Sequence, residues 1–166
     1  MLSLQSKVLL VFSLLAIGLA APGAADAAVQ ASAGTTLSKV ERTLLQVMNE
    51  ARTARGLPRL RVDTRLQKAA RAHSRDMIRR GYFAHGAFGR RLDRFGVRGS
   101  IMAENLAAST GRQLRVRQIV RQWLRSPGHR ANLLGPSFRR VGIGAVPGRL
   151  PGMGRVRVIT ADFAGG

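Results

Sequence analysis

Apolar residues recur at helical spacing in three stretches of the chain. In the first, Val40, Leu44, Leu45, Val47 and Met48 follow Ser38-Lys39-Val40-Glu41. That tetrad has the form of a capping box, in which a serine oxygen and a glutamate side chain satisfy reciprocal backbone donors at a helix start. Gly56 and Pro58 supply the stop. The second stripe reads Leu66, Ala69, Ala70, His73 and Met77, opened by Asp63 or Thr64 and closed at Gly81. The third is the most regular: Val116, Ile119, Val120, Trp123 and Leu124 fall at i, i+3, i+4, i+7 and i+8, with Arg112, Arg115, Arg117 and Arg121 outside. It is expected to end near Ser126. Ser126-Pro127 then reads as a cap followed by proline at the first helical position, so a short helix carries His129 and Arg130 before Gly135-Pro136 ends it.

Two late segments change period. Val141, Ile143 and Ala145 alternate with glycines, and Val156, Val158 and Thr160 alternate with Arg155, Arg157 and Ile159, as two strands joined by a Pro/Gly-rich loop would. Between Gly81 and Gly111 no period is sustained, and a long irregular connection with short elements is expected there. Helices first and strands late, without βαβ alternation, predict an α+β fold. Leu44, Leu66, Ala70, Val116, Ile119, Val120, Trp123, Ile143 and Val158 are expected to share one core.

Residues 1–27 read as a signal peptide: Lys7 in a short head, an uncharged, mainly apolar stretch from Val8 to Leu19, and a small-residue tail containing Ala25-Asp26-Ala27. The pattern places the protein outside the cytoplasm, secreted or periplasmic, with no membrane span once the signal is cleaved. Residues 28–36 are small and polar and read as a linker, which leaves 37–166 as one domain. The chain has no cysteine, so an exported domain of this size must rest on packing alone.

Charge adds one further expectation. The 166 residues hold 28 Lys plus Arg against 8 Asp plus Glu, a net charge of +20, and all but three of the bases are arginine. Such a field concentrates anionic polymers or anionic lipid at low salt. A single Tyr and a single Trp leave little for base stacking, so specific nucleic-acid recognition is not expected.

The groups able to carry chemistry are few. His73 sits on an inward helical stripe and reads as a core histidine with one hydrogen-bond partner. His85, after Tyr82-Phe83-Ala84, is open to a structural or a ligand role. Glu104 is a scarce acid in an apolar context, Ala103-Glu104-Asn105-Leu106, and if buried it requires a cation, a metal or donors. No HExxH, CxxC, GxSxG, Walker loop or convincing GxGxxG is present.

Taken in order, Asn49-Glu50-Ala51-Arg52, Gly56-Leu57-Pro58-Arg59-Leu60, Tyr82-Phe83-Ala84-His85, Glu104-Asn105-Leu106, the run from Trp123 to Leu134 containing Ser126-Pro127-Gly128-His129-Arg130, and Val141-Gly142-Ile143-Gly144 resemble the CAP superfamily of cysteine-rich secretory, antigen 5 and pathogenesis-related proteins. The resemblance runs from about Leu37 to Phe163, and the chain looks like a compact bacterial branch. It implies an α-β-α sandwich with a central antiparallel sheet, and a cleft lined by two histidines and two acids. The histidines fall on His85 and His129 and the first acid on Glu104; the second is expected near Ser126, where no carboxylate stands. The resemblance further implies that His85 and His129 can hold a divalent metal such as zinc, in a cleft lined by His85, Glu104, Asn105, Ser126 and His129.

The leading expectation is therefore a secreted, monomeric CAP-domain protein whose cleft binds a metal or an envelope ligand, lipid or anionic polymer without turning it over. Two alternatives stand beside it. One is a metal-dependent hydrolase of an envelope polymer or peptide, with Glu104 as base. The other is an electrostatic binder of anionic polymers.

Overall fold

The computed structural model describes residues 36–110 and 115–166. The expected signal peptide, the expected linker before Thr36, and Arg112 lie outside the described residues. The elements, in chain order, are α1 (Lys39–Thr53), β1 (Arg61–Val62), α2 (Thr64–Arg80), α3 (Phe88–Arg94), β2 (Ile101–Thr110), α4 (Val116–Arg125), α5 (Pro127–Leu134), β3 (Phe138–Leu150) and β4 (Gly154–Gly165). The strands form one sheet in the order β1-β3-β4-β2. The three long strands are antiparallel, and the two residues of β1 join β3 in parallel at the far edge.

The helix ends follow the local chemistry. Ser38 and Glu41 close the capping box, Asp63 accepts from the amides of Arg65 and Leu66, and Gly81 ends α2 at φ +69°, in the left-handed region that glycine adopts without a Cβ penalty. Arg71 from α2 grips the carboxylate of Glu41 through Nε at 2.9 Å and Nη2 at 2.5 Å, which ties the start of α1 to α2.

Side chains alternate across the strands, and the helices divide accordingly. Leu44, Val47 and Met48 of α1, Val116, Ile119, Val120 and Trp123 of α4 and Leu133 of α5 pack with Val141, Ile143, Ile159, Ala161 and Phe163 on one face. On the other, Leu66 and Ala69 of α2 meet Leu92, Val97 and Ala164, while Met77 meets Leu106, Leu150, Val156 and Val158. The expected single core is thus corrected. All nine residues named for it are buried, but the sheet separates Leu66 and Val158 from the cluster that holds Leu44 and Trp123.

Contact between α2 and β3 explains the Val141-Gly142-Ile143-Gly144 pattern. A Cβ on Gly142 would lie 2.0 Å from the backbone carbon of Leu66, and one on Gly144 would lie 2.5 Å from the carbonyl oxygen of Ala70. Glycine at alternate positions lets the helix backbone lie directly on the strand. Gln67 then bonds both the N–H (2.8 Å) and the C=O of Ile143.

Two further expectations need correction. The segment from Gly81 to Gly111 holds a ten-residue strand, β2, and a seven-residue helix, α3, rather than an irregular connection. The Pro/Gly-rich loop between the last strands is mostly strand itself, with only Pro151, Gly152 and Met153 turning between β3 and β4.

Candidate functional site

The motif Asn49-Glu50-Ala51-Arg52 is structural. Asn49 clasps the backbone of Leu60, accepting its N–H at 2.7 Å and donating to its carbonyl at 3.0 Å. Arg52 is fully buried without a carboxylate and donates to the carbonyls of Pro58, Leu133, Gly135 and Phe138. It fixes the C-terminal end of α5, the helix that carries His129.

The site forms at the β2 edge of the sheet, where the two helical layers meet. Glu104 and Asn105 are neighbours on β2 and point to opposite faces. Glu104 faces α2 and the loop after it; Asn105 faces α5. Asn105 donates to the carbonyl of His129 at 2.9 Å, and Asn132 of α5 donates to the carbonyl of Glu104 at 3.2 Å and to Oδ1 of Asn105 at 3.0 Å. Two adjacent strand residues thereby hold α5 against the sheet.

On the other side, the Glu104 carboxyl is a hub. His85 places Nδ1 2.7 Å from Oε1, and Arg91 of α3 donates through Nη2 to Oε2 at 2.5 Å. The imidazole of His73 stands behind, with Nε2 3.7 Å from Oε2 and 3.0 Å from the carbonyl oxygen of Ala84, the single partner expected of a core histidine. His85 is 59% exposed while Glu104 is 2% exposed, so a buried carboxylate holds a ring at the surface.

Asp162 completes this centre. It sits opposite Glu104 in the β2–β4 register, is fully buried, and lies 3.3 Å from Nη2 of Arg91. Two carboxyls then face one guanidinium. Burial pushes Glu104 up to about 7, opposed by the charge of Arg91 and by the hydrogen bond that Arg91 donates. Burial raises Asp162 well above the carboxylate range, Arg91 opposes that, and the charge of Glu104 adds to it. The arrangement that satisfies both places a proton on Asp162 and leaves Glu104 to face Arg91 and His85 as the acceptor. Nε of Arg91 and Oδ2 of Asp162 are buried without a partner among the described residues. His73 is lowered to about 4, first by burial and then by the charge of Arg91, and is neutral at pH 7.

His129 enters from α5, its Nδ1 2.9 Å from Oγ of Ser126. A hydroxyl thus stands beside His129 at the position where the resemblance expects a second acid. The His129 pKa is lowered by burial and by the charge of His85. Both rings thus have Nδ1 engaged internally, and Nε2 of each makes no hydrogen bond among the described residues.

This donor set meets part of what a divalent metal requires. Two imidazoles with Nδ1 held by a carboxylate and a hydroxyl match the usual orientation of histidine ligands. Glu104 does not serve as a third, because its oxygens are taken by His85 and Arg91. Among the described residues no group of three His, Cys, Asp or Glu side chains could hold a metal. The two imidazoles are the candidate donors, and no third protein ligand joins them among the described residues.

Sequence reasoning missed Asp162 and Arg91. Asp162 carried the signal that singled out Glu104, an acid inside an apolar run, Ala161-Asp162-Phe163. Arg91 carried none in a chain with 25 arginines.

Comparison with known proteins agrees with this architecture. The profile of the cysteine-rich secretory protein family, CAP, matches residues 45–152. The uncharacterized protein YkwD of Bacillus subtilis is 35% identical over 120 residues, 69% of this chain and 46% of that protein. The uncharacterized membrane protein YlbC of the same organism is 31% identical over 109 residues, 63% of this chain and 31% of that one. The chain thus spans less than half the length of either curated relative. Among solved structures, an extracellular protein containing an SCP domain from Bacillus anthracis superposes with a TM-score of 0.61 at 27% identity, over 80% of this chain and 45% of that one. A cysteine-rich secretory protein from Staphylococcus aureus gives a TM-score of 0.62 at 21% identity, over 75% and 37% of the two chains. From the Ser126–His129 helix start to the glycine-stacked β3, the matched span contains most of the geometry described above, and the chain belongs to the CAP family of cysteine-rich secretory proteins, without a cysteine of its own.

Proposed function

We propose that this is an exported CAP-domain protein whose cleft, lined by His85, Glu104, Asn105, Ser126 and His129, binds an envelope ligand without turning it over. Support for export comes from the signal-like first 27 residues, and from relatives described as extracellular and secretory. Among the described residues no helix is long and apolar enough to cross a membrane.

One observation carries the binding reading: each of the two imidazoles has Nδ1 tied to an internal partner, leaving Nε2 as the ring atom available to a ligand. A divalent metal such as zinc would be held by Nε2 of His85 and His129, where it would supply a Lewis acid for an oxygen or nitrogen of the ligand. Glu104 orients His85 and Ser126 orients His129. The same geometry argues against a hydrolase with Glu104 as base. A general base must reach the proton it removes, and this carboxylate is buried with both oxygens engaged.

The test is histidine side-chain NMR of the metal-free protein titrated with zinc, beside a screen of the zinc-loaded protein on envelope polymers and peptides before and after chelation. Ring signals of His85 and His129 should move together, with coordination at Nε2, while His73 stays in place and turnover remains at background. Coordination at Nδ1, or turnover that a chelator abolishes, would overturn the proposal.

A further inference from the structure

The arginines are not spread evenly, and one concentration of them surrounds a concavity on the side of the sheet that carries α2. Between α2 and α3 lies a cavity of about 1220 Å³ ringed by Arg75, Arg79, Arg80, Arg90, Arg91 and Arg94. The only acid in its wall is Asp76, and that carboxylate is already shared by Arg79 at 2.5 Å, Arg80 at 3.5 Å and the hydroxyl of Tyr82 at 2.8 Å. Arg91 is a fixed wall, held by Glu104 and Asp162. Arg75, Arg90 and Arg94 are exposed and make no hydrogen bond or ion pair among the described residues.

Folding alone gives no reason for this arrangement. Arg75 and Arg79 stand at i and i+4 on α2, and Arg90 and Arg94 do so on α3. Like charges at that spacing destabilise a helix, and of the four arginines in these two pairs only Arg79 has a carboxylate partner, Asp76, among the described residues. A guanidinium fork matches the paired oxygens of a phosphate group, and several forks around one space match several such groups. The rest of the wall includes His73 and the side chains of Ile78, Tyr82, Phe95 and Val146, which offer apolar and aromatic surface to whatever joins the charged groups. The volume exceeds that usual for a drug-sized ligand, which suits an extended ligand over a single anion.

We infer that this groove is a second binding site, adjoining the His85–His129 cleft at Arg91, for a ligand bearing several phosphate groups, either a soluble oligophosphate or a cluster of lipid headgroups. It needs no metal, and its test is independent of the reading of the cleft.

The probes are inorganic tripolyphosphate, followed by calorimetry at 50 and 200 mM NaCl, and phosphatidylglycerol vesicles, followed by co-sedimentation with phosphatidylcholine vesicles as control. The wild type is compared with Arg75→Gln/Arg90→Gln/Arg94→Gln and with Arg59→Gln/Arg125→Gln/Arg155→Gln, which removes the same charge from exposed arginines elsewhere that make no hydrogen bond or ion pair among the described residues. The single variant Arg94→Gln guards against misfolding of the groove triple, whose urea midpoint is checked first. The groove triple should weaken binding at least tenfold and Arg94→Gln severalfold, while the control triple changes it less than threefold. Tripolyphosphate binding without vesicle retention identifies soluble oligophosphate as the ligand class. Vesicle retention that tripolyphosphate displaces identifies headgroups. Equal losses in the two triples would reduce the effect to the diffuse field of a basic protein and overturn the site, as would absence of binding to both probes at 50 mM NaCl.

Discussion

Replacing Gly142 by alanine tests the way the second helical layer is seated. The added Cβ would stand 2.0 Å from the carbon and 2.2 Å from the oxygen of the Leu66 carbonyl, and 2.3 Å from the amide nitrogen of Gln67. Carbon atoms pack at about 3.5–4.0 Å, so α2 must retreat by roughly 1.5 Å, and all three obstacles are backbone atoms that no rotamer change can move. Retreat also breaks the two bonds between Gln67 and the backbone of Ile143. Overpacking costs about 1–3 kcal/mol and each lost bond about 1 kcal/mol, which together give about 3–5 kcal/mol, a large share of a typical domain's stability. Gly89 in α3 is the control: a Cβ there meets nothing within 4 Å, and its φ is not positive. Gly89→Ala should change stability by no more than about 1 kcal/mol, and in the favourable direction if helix propensity governs. The assay is urea unfolding of the wild type and both variants, read from midpoints at constant slope. A loss below about 1 kcal/mol for Gly142→Ala would mean that α2 does not rest on β3 as described.

Three further outcomes follow from the same structure. Trp123→Ala empties a core site and removes the indole donor to the carbonyl of Leu106, so urea unfolding should show a loss of about 3–5 kcal/mol. His73 is neutral in the folded protein down to about pH 4, whereas in the unfolded chain it protonates near pH 6.5. As pH falls between those values the unfolded state gains the proton first, so the stability of the wild type relative to His73→Gln should decline by on the order of 3 kcal/mol from pH 7 to pH 4; a flat difference would contradict the neutral assignment. Glu104→Gln loosens the anchor of His85 without touching its Nε2, and zinc affinity measured by chelator competition should fall about 10- to 100-fold.

Legibility in the sequence differed by element. The helices α1, α2 and α4 were readable because each buries one stripe against the sheet and leaves the rest in solvent, and the N-terminal caps of α1 and α2 use side chains whose purpose is local. β2 was not readable. Both faces of its middle are covered, Leu106 on one side and Asn105 on the other, and small residues such as Ala103, Ala107 and Ala108 erase any alternation. Its glycine-rich approach conceals α3, a seven-residue helix with no side-chain cap. Within the site, Glu104 stood out as a scarce acid in an apolar run and the resemblance joined it to His85, Ser126 and His129, but the sequence could not show that Glu104 faces inward to Arg91 and Asp162. That pairing depends on strand register and on one arginine among many.

Zinc titration into the metal-free protein, with His85→Ala and His129→Ala measured alongside, tests most directly the proposal that the Nε2 atoms of these two rings form the binding element of the cleft. One zinc per wild-type chain is expected, with no saturable binding by either variant over the same concentration range. Absence of stoichiometric binding by the wild type, or wild-type affinity in both variants, would contradict the account.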